Sequence, residues 1–224
     1  IPGNGYDNFY ILDYKSITTK QIAEIFWYGL DQLQVQNLFA MVGGSLGGAI
    51  GWEMILQQPN RVEKFFPIAT HYKANSWVKG NIHVQDSILN NSKEPLQDAR
   101  KHAMLLYRNP AGINEKFSQS NHTIEDWLTF HGYSLGNRFS LQAYKLVNHL
   151  LSTIGKNVSE DAFEHFTKIY NGEIHFIRVN SDLLFIPEDQ EQTYNQLKLK
   201  IKATSHVINS IHGHDAFLLE YKQL

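Results

Sequence analysis

The sequence predicts an α/β protein with a mostly parallel sheet and a helical cap inserted between two of its strands. Three observations lead to this prediction. Short apolar runs alternate with amphipathic segments at both ends of the chain, the middle shows helical patterns only, and one apolar run breaks into glycines around a serine. We expect the two ends of the chain to build one sheet, with the middle as a separate helical layer.

The central segment is a predicted buried strand at 37–42 that leads into Gly43-Gly44-Ser45-Leu46-Gly47 and then into an apolar helix ended by Pro59. This order fits the pattern G-x-S-x-G, which presents the serine hydroxyl at the end of a strand. Glycines are expected because side chains would collide in so sharp a turn. A glycine-rich turn with an incidental serine, or a phosphate-binding loop, is the alternative.

A helix is predicted before this strand, from a cap at Thr18 or Thr19 to about residue 34. Its apolar side chains recur at helical spacing, at Ile22, Ile25, Phe26, Leu30 and Leu33. A short strand at 9–12 is possible. After Pro59, residues 62–69 predict a second strand, and two strands joined by one helix indicate a parallel crossover.

The cap is predicted at 71–170, with helices at 75–89, 95–107, 122–133 and 139–153. The sheet resumes with a strand at 173–179, a helix at 187–199 and a strand at 202–208. The sheet domain therefore comprises 1–70 and 171–224. The chain begins with Ile1 rather than methionine, which suggests a fragment or a processed product.

Composition excludes several classes of function. The 224 residues carry a formal net charge of −2 with scattered basic residues, so we expect no nucleic-acid partner and no membrane-surface binding. The absence of cysteine excludes disulfides and a thiolate nucleophile and is compatible with a cytoplasmic protein. No apolar run is long enough to span a bilayer.

A serine nucleophile needs a base, and the base needs an orienting acid. Asp182 follows the 173–179 strand, at the carboxyl edge of the predicted sheet, although a turn or helix-cap role is the alternative. His212 and His214 follow the last strand, and either one could be the base. A metal site would need a third ligand, and none lies at a suitable spacing, so we expect no metal.

Among the residues of the predicted cap, Arg100 is the main candidate for a functional role. It lies in the predicted 95–107 helix, close enough to the apolar face of that helix to point into the cleft between cap and core. A solvated arginine is the alternative reading of the same spacing. The apolar face comprises Leu96, Ala99, Ala103 and Leu106.

In several motifs that include these residues, the sequence resembles the homoserine O-acetyltransferase family of α/β-hydrolase-fold acyltransferases. Five motifs carry the resemblance: Gly43-Gly-Ser-Leu-Gly-Gly48, Asp98-Ala-Arg100 with Tyr107-Arg108, Gly136-Asn-Arg-Phe139 with Tyr144, Ser181-Asp-Leu-Leu-Phe185 and Gly213-His-Asp-Ala-Phe-Leu218. Two residues depart from the family pattern, because Leu46 stands where a methionine is usual and Ser140 where an aspartate is usual. Several strands and an oxyanion-hole loop of the family precede the region that matches Ile1.

The resemblance implies roles that spacing leaves open. It implies Ser45 as nucleophile, His214 rather than His212 as base and Asp182 as its orienter, with the backbone N–H of Leu46 in the oxyanion hole. Arg100 and Tyr107 would line the amino-acid pocket, and Asp215 would bind the substrate's amino group.

The implied reaction is transfer of an acetyl group from acetyl-CoA, a co-substrate and not a bound cofactor, to L-homoserine. The implied assembly is a homodimer formed through the cap. Three alternatives stay open: a serine esterase with the same triad, transfer with succinyl-CoA or L-serine, and an incomplete, inactive fragment or binding module.

Overall fold

The computed structural model describes residues 13–224. Four parallel strands form one sheet in the order β1 (Leu38–Gly44), β2 (Val62–Ile68), β3 (Glu173–Val179) and β4 (Lys202–Ile208). All four correspond to strands predicted from the sequence, and the predicted α/β class is confirmed. The possible strand at 9–12 lies outside the described residues.

Nine α-helices accompany the sheet in the part of the chain that the structure describes. They are α1 (Thr19–Gln32), α2 (Leu46–Gln57), α3 (Ser76–Asn91), α4 (Pro95–Tyr107), α5 (Pro110–Phe117), α6 (Ile124–Gly136), α7 (Leu141–Thr153), α8 (Glu160–Ile169) and α9 (Pro187–Leu197). Helices α3 to α8 lie between β2 and β3 in the chain, where the cap was predicted. Two of them, α5 and α8, were not predicted from the sequence.

Helix α1 begins as predicted, and its fully buried apolar residues are not among the five that recur at helical spacing. Thr18 caps it in a reciprocal pair with Gln21. Ala23 and Trp27 are its buried apolar residues, and the Trp27 indole donates a hydrogen bond of 3.1 Å to the carbonyl of Met54 on α2. Of the apolar residues that recur at helical spacing, Ile25, Phe26 and Leu33 are exposed, whereas Ile22 and Leu30 pack against the core.

Strand β1 is not buried as predicted. Phe39 and Val42 are 67% and 66% exposed. The reason is position, because β1 pairs with β2 on one side and, within residues 13–224, with no strand on the other. An apolar run predicts a strand, but only the strand order decides whether both of its sides are covered.

Helix α2 packs on the sheet and supplies most of the central core. The Trp52 ring contacts the rings of Phe65 at 5.3 Å, Phe176 at 5.8 Å and Tyr72 at 6.0 Å. Such aromatic pairs each contribute about 0.5–1.5 kcal/mol beyond their buried area. The helix that begins at the serine is therefore held against β2 and β3 through Trp52.

Next to Trp52 lies a buried polar cluster that we call the Glu53 network, formed by Glu53, Thr19, Thr153 and Gly155. Glu53 Oε1 accepts hydrogen bonds from the Thr19 hydroxyl at 3.0 Å and from the Gly155 N–H at 3.2 Å. The Thr19 N–H donates to the Thr153 hydroxyl at 3.0 Å. The network thus ties α1 and α2 to the end of α7.

The cap helices pack mainly on one another, α3 against α7 and α4 against α6. Buried amides join them: Gln85 donates to the carbonyl of Ala99, and Asn148 donates to the carbonyl of Ile82. The assignment of 71–170 to a separate cap domain stays a prediction. Among the described helices, none is both long and apolar enough to cross a membrane.

Candidate active site

Ser45 sits in a tight turn between β1 and α2. Its backbone has φ 51° and ψ −125°, a conformation that costs a non-glycine residue about 1–3 kcal/mol. The Ser45 N–H donates to the carbonyl of Ile68 at the end of β2, at 2.9 Å. This strained turn holds the serine at the carboxyl end of the sheet.

Close packing explains the glycines of the turn at three positions and fails at a fourth. A Cβ at Gly44 would lie 2.7 Å from the ring of Phe217. A Cβ at Gly43 would lie 2.6 Å from the Gly47 carbonyl oxygen, and one at Gly48 would lie 2.5 Å from the Thr70 side chain. A Cβ at Gly47 would meet nothing within 4 Å. The expectation that every glycine of the motif avoids a collision is therefore wrong for Gly47, which borders open space.

Three predicted residues meet at this edge of the sheet. His214 Nε2 lies 2.8 Å from Ser45 Oγ, and His214 Nδ1 lies 2.8 Å from Asp182 Oδ2. With the ring proton on Nδ1, the imidazole donates to Asp182 and accepts from the serine hydroxyl. This is the geometry of a nucleophile, a base and an orienting acid. The histidine in this position is His214; His212 instead lines a neighbouring cavity.

Asp182 also closes the turn in which it lies. Its second oxygen, Oδ1, accepts hydrogen bonds from the N–H groups of Leu184 at 2.8 Å and Phe185 at 3.0 Å. The turn role and the acid role, which were alternatives in the sequence, coexist because each uses one carboxylate oxygen. The carboxylate is thereby held in one orientation toward His214.

The surroundings of His214 shift its proton affinity. Burial by itself lowers the pKa of the imidazole, but the negative charge and hydrogen bond of Asp182, with a contribution from Asp215, raise the pKa above its ordinary value of 6.5. The rings of Tyr107 and Phe217 lie 5.6 Å from the imidazole. The base is enclosed by apolar rings and held by one carboxylate, as a general base requires.

The backbone N–H of Leu46 directly follows the nucleophile. Leu46 is the first residue of α2, so its N–H has no acceptor within the helix. The positive end of the helix dipole lies at the same point. This N–H is the group that the sequence predicted as an oxyanion donor.

The predicted substrate-binding residues lie beside the base. Tyr107 is enclosed, and its pKa is raised by burial, while the charges of Arg100 and Asp215 act on it with opposite signs. Arg100 is partly buried rather than solvated, and its Nε is buried with no hydrogen-bond partner within residues 13–224. A buried polar group left unpaired costs about 1–3 kcal/mol, so this N–H is suited to a ligand's anionic group.

Asp215 has a partner that sequence reasoning missed. The guanidinium of Arg108 lies 3.2 Å from Asp215 Oδ2. Arg108 belongs to the Tyr107-Arg108 motif, but nothing in the spacing relates it to a residue 107 positions later. The described residues contain no group of three or more histidines and carboxylates placed to hold a metal ion.

A cavity of about 460 Å³ opens next to Arg108. Its lining combines cationic and imidazole groups with one indole, from Arg108, Lys116, Trp127, His131 and His212. The pKa of His131 is lowered by burial and by the nearby positive charges of Arg100, Arg108 and Lys116. This cavity is therefore positively charged on the side formed by Arg108 and Lys116.

Comparisons with known proteins agree with this geometry. A sequence model described as the alpha/beta hydrolase fold matches residues 1–103. A homoserine O-acetyltransferase of Cyclobacterium marinum is 28% identical, with 100% of this chain and 67% of the relative aligned. One of Chloroherpeton thalassium is 26% identical, with 95% of this chain and 60% of the relative aligned.

Solved structures show the same fold. A homoserine O-acetyltransferase from Bacillus anthracis superposes with a TM-score of 0.81 at 14% identity, over 92% of this chain and 63% of the other. Esterase E22 superposes with a TM-score of 0.80 at 14% identity, over 92% and 64% of the two chains. The chain spans about three fifths of the length of these proteins. The comparisons confirm the predicted fold class and the resemblance that the motifs indicate, and the curated relatives support an enzyme of that kind.

Proposed function

Because this chain has the α/β-hydrolase fold and its curated relatives are named homoserine O-acetyltransferases, we propose that it carries the catalytic centre of an acyltransferase. The proposed reaction moves an acetyl group from acetyl-CoA to the γ-hydroxyl of L-homoserine. The observation that carries the proposal is the hydrogen-bonded series Ser45, His214 and Asp182 beside Arg100 and Asp215.

In the first half-reaction, His214 Nε2 takes the hydroxyl proton of Ser45 while Oγ attacks the thioester carbonyl carbon. The tetrahedral intermediate places its negative charge near the N–H of Leu46. When the C–S bond breaks, the CoA thiolate leaves and recovers the proton from the imidazolium. Asp182 stabilises the imidazolium through the 2.8 Å hydrogen bond to Nδ1 throughout.

In the second half-reaction, the acceptor hydroxyl takes the place of the thiol. His214 removes its proton, the hydroxyl oxygen attacks the acetyl-Ser45 ester, and the C–O bond to Ser45 breaks with return of the proton to Oγ. The product is an O-acetyl amino acid and the free serine. No bound cofactor and no metal are required by these steps.

The choice of acceptor rests on charge. An amino acid carries one carboxylate and one ammonium. Around Tyr107, whose ring lies 5.6 Å from His214, Arg100 is available for the first and Asp215 for the second. An esterase that uses water has no need of this pair of opposite charges. The same argument does not separate homoserine from serine, nor acetyl-CoA from succinyl-CoA.

The first experiment compares CoA release from acetyl-CoA with and without L-homoserine, and repeats it with succinyl-CoA and with L-serine. We expect release to accelerate with homoserine and to be abolished in Ser45→Ala. Equal rates with and without any acceptor would identify a hydrolase. A wild-type chain that a fluorophosphonate does not label would be an inactive fragment or a binding module.

The resemblance also supports a homodimer formed through the cap and a cytoplasmic location, both as proposals. Phe130 and Tyr133 on α6 are exposed aromatic residues that a cap-to-cap interface would cover. Size-exclusion chromatography at micromolar concentration tests the dimer, and a monomer there would end this part of the proposal.

A further inference from the structure

The junction between α4 and α5 consists of Arg108 and Asn109. Asn109 caps α5, because its side-chain oxygen accepts the N–H of Ala111 at 2.9 Å. Its amide nitrogen donates to the carbonyl of Ser181 at 3.3 Å, and Ser181 is the residue before the acid Asp182. The cap thus contacts the acid loop directly at this junction.

The same junction lies against the loop that carries the base. Gly213 has φ +71°, and a Cβ there would lie 2.6 Å from the Asn109 nitrogen and 2.7 Å from the Arg108 carbonyl carbon. The Gly213 N–H donates to the Ser181 hydroxyl at 3.0 Å. Acid loop, base loop and junction are therefore in mutual contact, which leaves little freedom for Arg108 relative to His214.

In this position Arg108 forms an ion pair with Asp215. The two side chains are 25% and 18% exposed and join through Asp215 Oδ2 at 3.2 Å. Among residues 13–224 no hydrogen bond to Asp215 Oδ1 is present. A partly buried, charge-assisted contact from a rigid guanidinium orients a carboxylate more strongly than an exposed pair does.

We propose that Arg108 is the positioning residue of the acceptor site: it holds Asp215 by Oδ2 and so presents Oδ1 to the ammonium group of the acceptor amino acid. This inference rests on the proposed function. Arg108 also neutralises a second carboxylate next to the base, so that Asp182 remains the acidic partner of His214. The groups that face this site are Asp182, Asp215, Tyr107, Arg100, Arg108 and His131.

The first test separates acceptor binding from chemistry. In Arg108→Gln, the KM for L-homoserine should rise about tenfold or more, because Asp215 loses its orientation, while kcat stays within about threefold. Arg108→Lys keeps the charge and should restore part of the loss. A fall in kcat with unchanged KM in Arg108→Gln would overturn the proposal.

The second test does not need an acceptor. The rate at which a fluorophosphonate labels Ser45 follows the neutral fraction of His214, so it falls as pH drops through the pKa of the imidazole. Without Arg108 the negative charge of Asp215 acts on His214 unopposed. The pH at which the labelling rate is half its maximum, the labelling midpoint, should therefore be higher in Arg108→Gln. It should move to lower pH in Asp215→Asn and return toward wild type in the double variant.

Arg61→Gln is the matched control, since Arg61 forms an ion pair with Asp31 at 2.8 Å outside the site. It should alter stability and leave both the KM and the labelling midpoint unchanged. If the wild type transfers to no amino acid but the midpoints shift as stated, the proposed function fails while the Arg108–Asp215 coupling stands. An unshifted midpoint in folded Arg108→Gln would overturn the inference.

Discussion

Two buried carboxylates, Asp182 and Glu53, have nearly the same exposure, 2% and 4%, and different surroundings. Asp182 accepts two backbone N–H groups on one oxygen and faces His214 with the other. Glu53 accepts a threonine hydroxyl and one backbone N–H, both on Oε1. Both are satisfied buried acids, as the cost of burying an unpaired charge requires.

The two carboxylates differ in the groups with which they form hydrogen bonds. The histidine that faces Asp182 titrates and reaches the hydroxyl of Ser45, whereas the partners of Glu53 have no proton to exchange near neutral pH. Burial raises the pKa of Glu53, only partly offset by its two hydrogen bonds. A buried carboxylate alone therefore does not indicate a catalytic site, but one that orients a titratable group toward a nucleophile does.

The largest expected effect is the loss of activity caused by changing Asp182. In Asp182→Asn, the new amide group would donate to His214 Nδ1 and leave the ring proton on Nε2, so the imidazole could not accept the serine proton. Acylation of Ser45 in the proposed reaction should fall by about four orders of magnitude. Stopped-flow or fluorophosphonate kinetics measure it, with exposed Asp161→Asn as the control. A loss below tenfold in a folded variant would remove Asp182 from the mechanism.

A smaller effect is expected from Thr19→Val, which keeps the side-chain shape but removes the hydroxyl that donates to Glu53. The free energy of unfolding should fall by about 1–3 kcal/mol, because Glu53 Oε1 loses one of its two buried donors and keeps only the N–H of Gly155. Urea unfolding measures the change, and Thr129→Val on the exposed surface of α6 serves as the control. Acylation kinetics should be unchanged; a large loss of activity would show that the Glu53 network supports the site.

The smallest effect is expected from Glu53→Gln. Since the pKa of Glu53 is raised on folding, its contribution to stability is present below about 4.5, its ordinary value, and declines as the pH rises through the raised value. Gln keeps an oxygen acceptor, so its stability should lie within about 1 kcal/mol of wild type at pH 4. Relative to wild type, the variant should gain stability as the pH increases.

Urea unfolding of Glu53→Gln and wild type at several pH values measures this trend. A constant difference across the range would contradict the role assigned to Glu53. The pH midpoint of Ser45 labelling should be the same in both proteins, because Glu53 does not face His214.

Much of the fold could be predicted because its signals are local. All four described strands lie where strands were predicted, and Pro95 marked the start of α4. Long motifs identified the loops that bring Ser45, Asp182 and His214 together. The helices α5 and α8 were missed because each holds only two or three turns, although Phe163, Phe166 and Ile169 recur at helical spacing in α8.

What the sequence could not predict depends on contacts between distant segments. The pairing of Arg108 with Asp215 and the Glu53 network join residues that no local pattern relates. The exposed side chains of β1 follow from strand order, which apolar spacing does not specify. In each case the missing information is the packing of elements rather than their type.

The separation of 169 residues between Ser45 and His214 has a consequence for the growing chain. At synthesis rates of about 5–20 residues per second, Ser45 precedes its base by on the order of ten to thirty seconds. During that interval Ser45 has no base to take its proton and is an ordinary alcohol. The hydrogen bond from Ser45 to His214 can form only after β4 has been synthesised, so a chain that ends before His214 lacks it.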